Sequence, residues 1–292
     1  MVEIIFQNRI DAVRFYEYLL ARLEHNQDSE NILLLEDRYI VKIFEGSYTE
    51  FFLNEVKNAF FEFITYVKRD DWFKEILAQQ FYFTDVEEQQ QILDILHSIL
   101  EGKREDLSVF IREVNEEAEI REAIDYVFQE KISFSFYSFF TFRLQVFRQL
   151  LESYVEVSID EYKMEQDYQM FVHMLRDFLA SRESKMDILH LLFDEEITFF
   201  NQDFVEMKRS ELTRMIDRKL LVNHPVYVDS TTIAPLLSIA PTTIFLYAKD
   251  AEAPLVRTIK NIFEERVIIK PYGALRSVRN GNGDQYSAEN HG

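Results

Sequence analysis

The sequence contains no cysteine, which excludes disulfide bonds, thiolate nucleophiles and cysteine-ligated zinc. No run approaches the roughly 18 apolar residues that a membrane-spanning helix needs. The first residues lack the basic and apolar segments of a signal peptide. We therefore expect a cytoplasmic protein with no transmembrane segment.

Glycine and proline are also scarce, with six and five residues in a chain of 292. All five prolines follow His224, and Gly102 is the only glycine between Ser47 and His224. Because these residues interrupt helices, a long stretch without them predicts a helical body, and the proline-bearing part predicts a looped α/β region.

The resulting fold prediction is α+β. We expect a small β-α-β-β unit over residues 1–46, a predominantly helical body over 47–184 and a C-terminal α/β region over 185–272. That region should end in a β-α-β unit, because two apolar runs flank a helix that begins at Pro254. The polar composition of the last stretch, residues 273–292, predicts a disordered tail.

Within the helical body, apolar residues at three-to-four spacing predict separate helices over 49–82, 108–128, 136–154 and 159–181. Thr84 and Glu87 have the spacing of a capping box at another helix start. In the C-terminal region, short apolar runs predict strands at 188–193, 197–200 and 204–207, followed by a helix over 210–221.

Charge is strongly one-sided, with 52 acidic against 32 basic residues and a net charge of -20. An acidic surface repels the phosphates of nucleic acids and anionic lipids, so we expect no nucleic-acid partner. The charge is best interpreted as a means of keeping a phenylalanine-rich protein in solution. An acidic docking face for a basic partner is the alternative.

Signatures of familiar chemistry are missing as well. The sequence has neither of the glycine-rich phosphate-binding motifs, and it lacks the G-x-S-x-G motif of serine hydrolases. Its six histidines are scattered without metal-ligand spacing, and we interpret His173 and His190 as structural. We accordingly predict no cofactor and no metal, and we lean against an enzyme.

Two groups of residues remain as candidate sites. Arg143 lies among phenylalanines, where an unpaired guanidinium is costly, so we expect an ion pair with Glu161 or Glu165. An anion-binding site is the alternative for that cluster. Lys249 and Asp250 follow a predicted strand, at the end where α/β sheets bind ligands, although a solvated loop is the simpler interpretation.

Basic residues cluster once, on the predicted helix over 210–221 and just before it. The cluster comprises Lys208, Arg209, Arg214, Arg218 and Lys219. It contains no aromatic residues interleaved with the charges, so we interpret it as a solvated helix face. A nucleic-acid interface is the less favoured alternative.

Several segments resemble the YtxC-like family of sporulation proteins from endospore-forming bacteria. They lie at 142–144, 160–172, 187–193, 236–244 and 259–267, and the segment 187–193 reads DILHLLF. The resemblance implies a cytoplasmic protein associated with sporulation, and it implies no particular biochemical activity. We expect action through contacts with an unidentified protein partner. The alternative is an enzyme or small-ligand binder with a site in the C-terminal region or the helical core.

Overall fold

The structure is a computed structural model that describes residues 1–23, 28–44, 50–194, 196–217 and 231–275. The chain forms two compact units, which meet in sequence between Met164 and Glu165. The first unit therefore contains both the predicted N-terminal unit and most of the predicted helical body. The predicted boundaries near residues 46, 184 and 272 stay a prediction.

The first unit has a four-stranded sheet in the order β2-β3-β1-β4. Its strands are β1 (Val2–Ile5), β2 (Ile32–Leu35), β3 (Ile40–Ile43) and β4 (Phe134–Ser135). Strand β3 pairs antiparallel with both β1 and β2, and α1 (Arg9–Leu23) follows β1. The predicted β-α-β-β order is therefore present. Strand β4 was not predicted. It lies 130 residues after β1 in the sequence and pairs with β1 in parallel.

Helices complete the first unit. Those that the structure describes are α2 (Glu50–Glu62), α3 (Arg69–Gln79), α4 (Val86–Leu100), α5 (Glu105–Ser108), α6 (Glu116–Gln129), α7 (Phe136–Ser138) and the first part of α8 (Gln145–Ala180), which continues into the second unit. Two π-helical segments interrupt the regular helices, Phe63–Lys68 between α2 and α3, and Phe139–Arg143 between α7 and α8.

Phenylalanine rings form the centre of this unit. Phe15, Phe60 and Phe63 are fully buried, and the ring centroid of Phe15 lies 5.5 Å from that of Phe60 and 5.2 Å from that of Phe63, both in edge-on pairs. Phe136 contacts Phe60 and Phe63 in the same way at 5.8 Å. Edge-on packing suits the charge distribution of aromatic rings, so this cluster ties α1 and α2 to the segment around β4.

Three predicted helix boundaries in the helical body were wrong. Residues 108–128 contain the last residue of α5 and all of α6 except Gln129 instead of one helix, and the side chain of Asn115 caps α6. The cap of α4 is Asp85 instead of Thr84, and its carboxylate accepts from the backbone N–H groups of Glu87 and Glu88. The predicted helix over 159–181 is continuous with the one before it, because α8 runs without a break from Gln145 to Ala180.

The second unit has a sheet in the order β6-β5-β7-β8. Its strands are β5 (Ile188–Phe193), β6 (Ile197–Phe200), β7 (Thr243–Ala248) and β8 (Val267–Pro271). Strand β6 is antiparallel to β5, whereas β7 and β8 are parallel to it. Besides the end of α8, the helices that the structure describes in this unit are α9 (Arg209–Met215), α10 (Ile233–Ile239) and α11 (Pro254–Phe263).

The two faces of this second sheet differ in composition. Leu189, Leu191, Ile244 and Leu246 point to one face and belong to an aliphatic core with α10 and α11. The alternate residues on the opposite face include His190, Phe245 and Tyr247. Alternation of side chains along a strand produces this division.

The predicted third strand at 204–207 is not formed. Phe204 has a left-handed backbone (φ 58°), and the side chain of Asn201 accepts from the N–H groups of Asp203 and Val205. This tight turn leaves a single bridge between Phe200 and Glu206 in place of a strand.

The predicted helix over 210–221 was too long, because α9 ends at Met215 and Ile216 is extended (ψ 128°). Other predictions fall outside the described residues, namely Arg218, Lys219 and the tail from residue 276 onward. Among the helices that the structure describes, none is long and apolar enough to cross a membrane. The architecture is α+β with a predominantly helical body, as predicted.

Candidate functional site

Arg143 lies on the surface of the first unit, at the end of the second π-helical segment. Its guanidinium carbon is 4.2 Å from the ring centroid of Tyr126, which is close enough for a cation–π interaction. Among the described residues, no carboxylate lies within ion-pair distance of Arg143. The expected ion pair is therefore absent, because this arginine is not buried among the phenylalanines that precede it in sequence.

The two carboxylates expected beside Arg143 lie elsewhere. Glu161 forms an ion pair with Arg104, whose Nη2 lies 2.6 Å from Glu161 Oε1. Arg104 also pairs with Asp106, and the hydrogen bonds that Arg104 donates to both carboxylates raise the pKa of Arg104. Glu165 is exposed and belongs to the second unit. The three residues of the predicted cluster therefore do not lie together. Glu161, on α8, instead pairs with Arg104 at the start of α5.

The surroundings of Arg143 form an exposed aromatic patch, which we call the Arg143 surface and define by Tyr126, Phe142 and Arg143. The ring of Phe142 is 73% exposed, and that of Tyr126 is 43% exposed. An aromatic ring that is this exposed contributes little to the hydrophobic core of the monomer, and a patch of such rings is typical of an interaction site. The Arg143 surface thus exposes two aromatic side chains and one cation.

Lys249 and Asp250 lie where they were expected, directly after β7 at the carboxyl end of the parallel strands. Lys249 does not pair with its neighbour. Its Nζ lies 2.6 Å from Asp194 Oδ1, and the same carboxylate accepts from the hydroxyl of Tyr272 at 2.5 Å. Asp250 accepts from the N–H of Glu252 and shapes the turn before α11.

His190 is a structural histidine, as expected. It is buried on β5, its Nδ1 lies 3.1 Å from the hydroxyl of Tyr247, and the rings of Phe204 and Phe245 flank it at 4.1 and 5.1 Å. Burial lowers the pKa of His190 and raises that of Tyr247. Within the described part of the chain, no group of three or more potential ligands could hold a metal ion.

The first unit contains a cavity of about 230 Å³ that the sequence did not reveal. One wall is aromatic, formed by Trp72, Phe136, Tyr137 and Phe140. Trp72 is buried, and its ring stacks on Phe140 with the ring centroids 3.8 Å apart and the planes 8° from parallel. This stack fixes the shape of the wall.

An ion pair also lines the cavity. Lys68 Nζ donates to both carboxylate oxygens of Asp11 at 3.1 and 3.0 Å, and also to Asp71 at 3.0 Å. Asn8 holds Asp11 from the other side, since its side chain donates to the carboxylate and accepts from the backbone N–H of Asp11. The charges of Lys68 and Asp11 are buried but mutually neutralised.

Both π-helical segments border this cavity. Lys68 is the last residue of the first segment, and Phe140 and Thr141 belong to the second. At the start of the first segment, the hydroxyl of Thr65 donates to the carbonyl of Phe61. Such segments are rare and frequently mark functional sites. Two of them around one cavity make it the strongest candidate site in the described structure.

A sequence profile of the YtxC-like family matches residues 54–268, which is more than half of the chain. The chain belongs to the YtxC-like family. The uncharacterized protein YtxC of Bacillus subtilis strain 168 is 34% identical over 275 residues, covering 94% of this chain and 96% of that protein. No solved structure matches this chain significantly.

The YtxC-like match includes most residues of both candidate surfaces. Lys68, Trp72 and the whole Arg143 surface fall inside residues 54–268, whereas Asn8 and Asp11 precede them. The sequence signal that could have pointed to the cavity is weak. It consists of the single tryptophan and of Lys68, which follows the largely apolar stretch from Phe60 to Val67.

Proposed function

We propose that this YtxC-like protein is a cytoplasmic, sporulation-associated protein that acts by contacting a protein partner. The resemblance of its 142–267 region to sporulation proteins motivates the link to sporulation. The acidic net charge makes a nucleic-acid partner unfavourable, because phosphates and carboxylates repel each other. The observation that carries the proposal is the Arg143 surface.

Three properties of the Arg143 surface suit a protein contact. Phenylalanine, tyrosine and arginine are enriched in protein interfaces and among the residues that contribute most to binding. Arg143 is already stacked on Tyr126, so less side-chain freedom is lost when a partner covers the pair. Burial of the open ring of Phe142 supplies the hydrophobic contribution.

The experiment compares Phe142→Ser with Phe110→Ser in the native host. Both phenylalanines are 73% exposed in the first unit, so both variants lose the same apolar group at equal exposure. We expect Phe142→Ser to reduce the number of heat-resistant spores and the recovery of a crosslinked partner at least tenfold. Phe110→Ser should leave both near wild type.

Two results would contradict this proposal. One is a deletion strain that forms heat-resistant spores at the wild-type frequency, which would remove the link to sporulation. The other is a Phe142→Ser protein that still crosslinks to the same partner as the wild type, which would remove the Arg143 surface from the interface. Circular dichroism of the purified variants checks that both are folded.

A further inference from the structure

We propose that the cavity beside the Asp11–Lys68 ion pair binds a small zwitterion of the size of a free amino acid. Arg148 would hold the carboxylate of this ligand, and Glu75 would hold its ammonium group. Both residues line the cavity. This binding site is separate from the Arg143 surface and does not depend on the proposed protein contact.

Arg148 supplies the anion-binding group. Its Nε is buried and has no hydrogen-bond partner among the described residues. The nearest carboxylate oxygen, Glu152 Oε1, is 3.6 Å away and already accepts from Gln80 at 3.1 Å. A buried donor without an acceptor is unfavourable. A ligand carboxylate would satisfy it and could engage the guanidinium with two parallel hydrogen bonds.

Glu75 supplies the cation-binding group. Within the described part of the chain no cation lies within ion-pair distance of it, and its carboxylate is exposed at the cavity. The other acidic group of the lining, Asp11, is already neutralised by Lys68. The cavity therefore offers one available carboxylate, that of Glu75, and one guanidinium, that of Arg148, whose Nε lacks a hydrogen-bond acceptor and whose ion pair with Glu152 is long at 3.6 Å. These two groups match the two charges of a zwitterion.

The volume of the cavity indicates that the ligand is small. A volume of about 230 Å³ is below the range of roughly 300–1,000 Å³ that is typical of sites for drug-sized ligands. An amino acid fits this volume. The remaining lining of Gln7, Gln79 and the aromatic wall suits a short side chain of mixed polarity.

The test is calorimetric titration of the full-length protein with each free amino acid. We expect at least one to bind at millimolar concentration or below. N-acetylation, which removes the ammonium charge, and amidation, which removes the carboxylate, should each weaken binding at least tenfold. Arg148→Gln and Glu75→Gln should weaken it to a similar extent, whereas Arg112→Gln and Glu122→Gln, at exposed positions outside the cavity lining, should not.

The proposal is overturned if no amino acid binds at millimolar concentration. It is also overturned if the blocked derivatives bind as tightly as the free amino acids, or if binding persists unchanged in both cavity variants. The comparison of blocked and free ligands uses the wild-type protein, so it decides the question even if a cavity variant fails to fold.

Discussion

Among the described residues, each unit contains a buried polar pair, and these two pairs differ in charge. In the first unit, Lys68 and Asp11 form an ion pair between a π-helical segment and α1. In the second, His190 and Tyr247 share a neutral hydrogen bond between β5 and β7. An unpaired ion is far more costly to bury than an unpaired neutral group. The first unit should therefore be much more sensitive to loss of one partner.

The largest effect is expected for Lys68→Met. Methionine keeps the apolar stem of the lysine but leaves the Asp11 carboxylate buried without a cation, which should destabilise the first unit by about 3–5 kcal/mol. Urea unfolding followed by tryptophan fluorescence measures this, because the only tryptophan, Trp72, lies beside the pair. The exposed Lys74→Met is the matched control and should change stability little.

A double variant sharpens this result. Asp11→Asn combined with Lys68→Met removes both charges, so part of the lost stability should return. If the free energy of unfolding of Lys68→Met alone stays within about 1 kcal/mol of the wild-type value, the Asp11 carboxylate does not need Lys68 to remain buried. The contrast between the charged and neutral pairs would then be wrong.

A smaller effect is expected for Tyr247→Phe. This change removes only the hydroxyl and leaves His190 Nδ1 buried without its partner, at a cost of about 1–3 kcal/mol. Hydrogen exchange of the β5 and β7 amides measures the local stability of the second sheet. Tyr272→Phe is the control, because it removes a hydroxyl from an exposed hydrogen bond to Asp194. An equal loss of local stability in both variants would show that burial of the His190–Tyr247 hydrogen bond does not increase its contribution.

The smallest change in stability is expected when the pH is lowered, through protonation of His190. Burial lowers the folded-state pKa of His190, so its contribution to stability is complete above its unfolded pKa of about 6.5. That contribution is lost as the pH falls from there through the folded pKa, because the unfolded state then binds the proton more readily. Hydrogen exchange of β5 should thus accelerate below about pH 6.5, relative to His190→Phe. Equal pH dependence in the two proteins would contradict this.

Much of the second unit could be predicted from sequence. The apolar run at 188–193 coincides with β5, and Pro254 begins α11 as expected. These elements are short and continuous, and their signals are local: an unbroken apolar run for a buried strand, and a proline at the first turn of a helix. Local signals survive in a single sequence because they do not depend on distant partners.

The cavity and the position of Arg143 could not be predicted in the same way. Asp11 and Lys68 are 57 residues apart, and nothing in the sequence near either one indicates the other. Arg143 was placed by helical periodicity over 136–154, but a π-helical segment and the non-helical Leu144 interrupt that period. The change of period turns Arg143 outward to Tyr126.

The number of residues in the π-helical segment Phe63–Lys68 determines which side chains of the following helix face the core, so its length is as important for the fold as its composition. In a regular helix, each residue advances the side-chain direction by about 100°. Loss of a single codon here could restore a continuous α-helix, yet it would rotate Trp72 and Ile76 away from the core by about that angle. Gene variants of this family should therefore tolerate substitutions in residues 63–68 more readily than one-residue deletions.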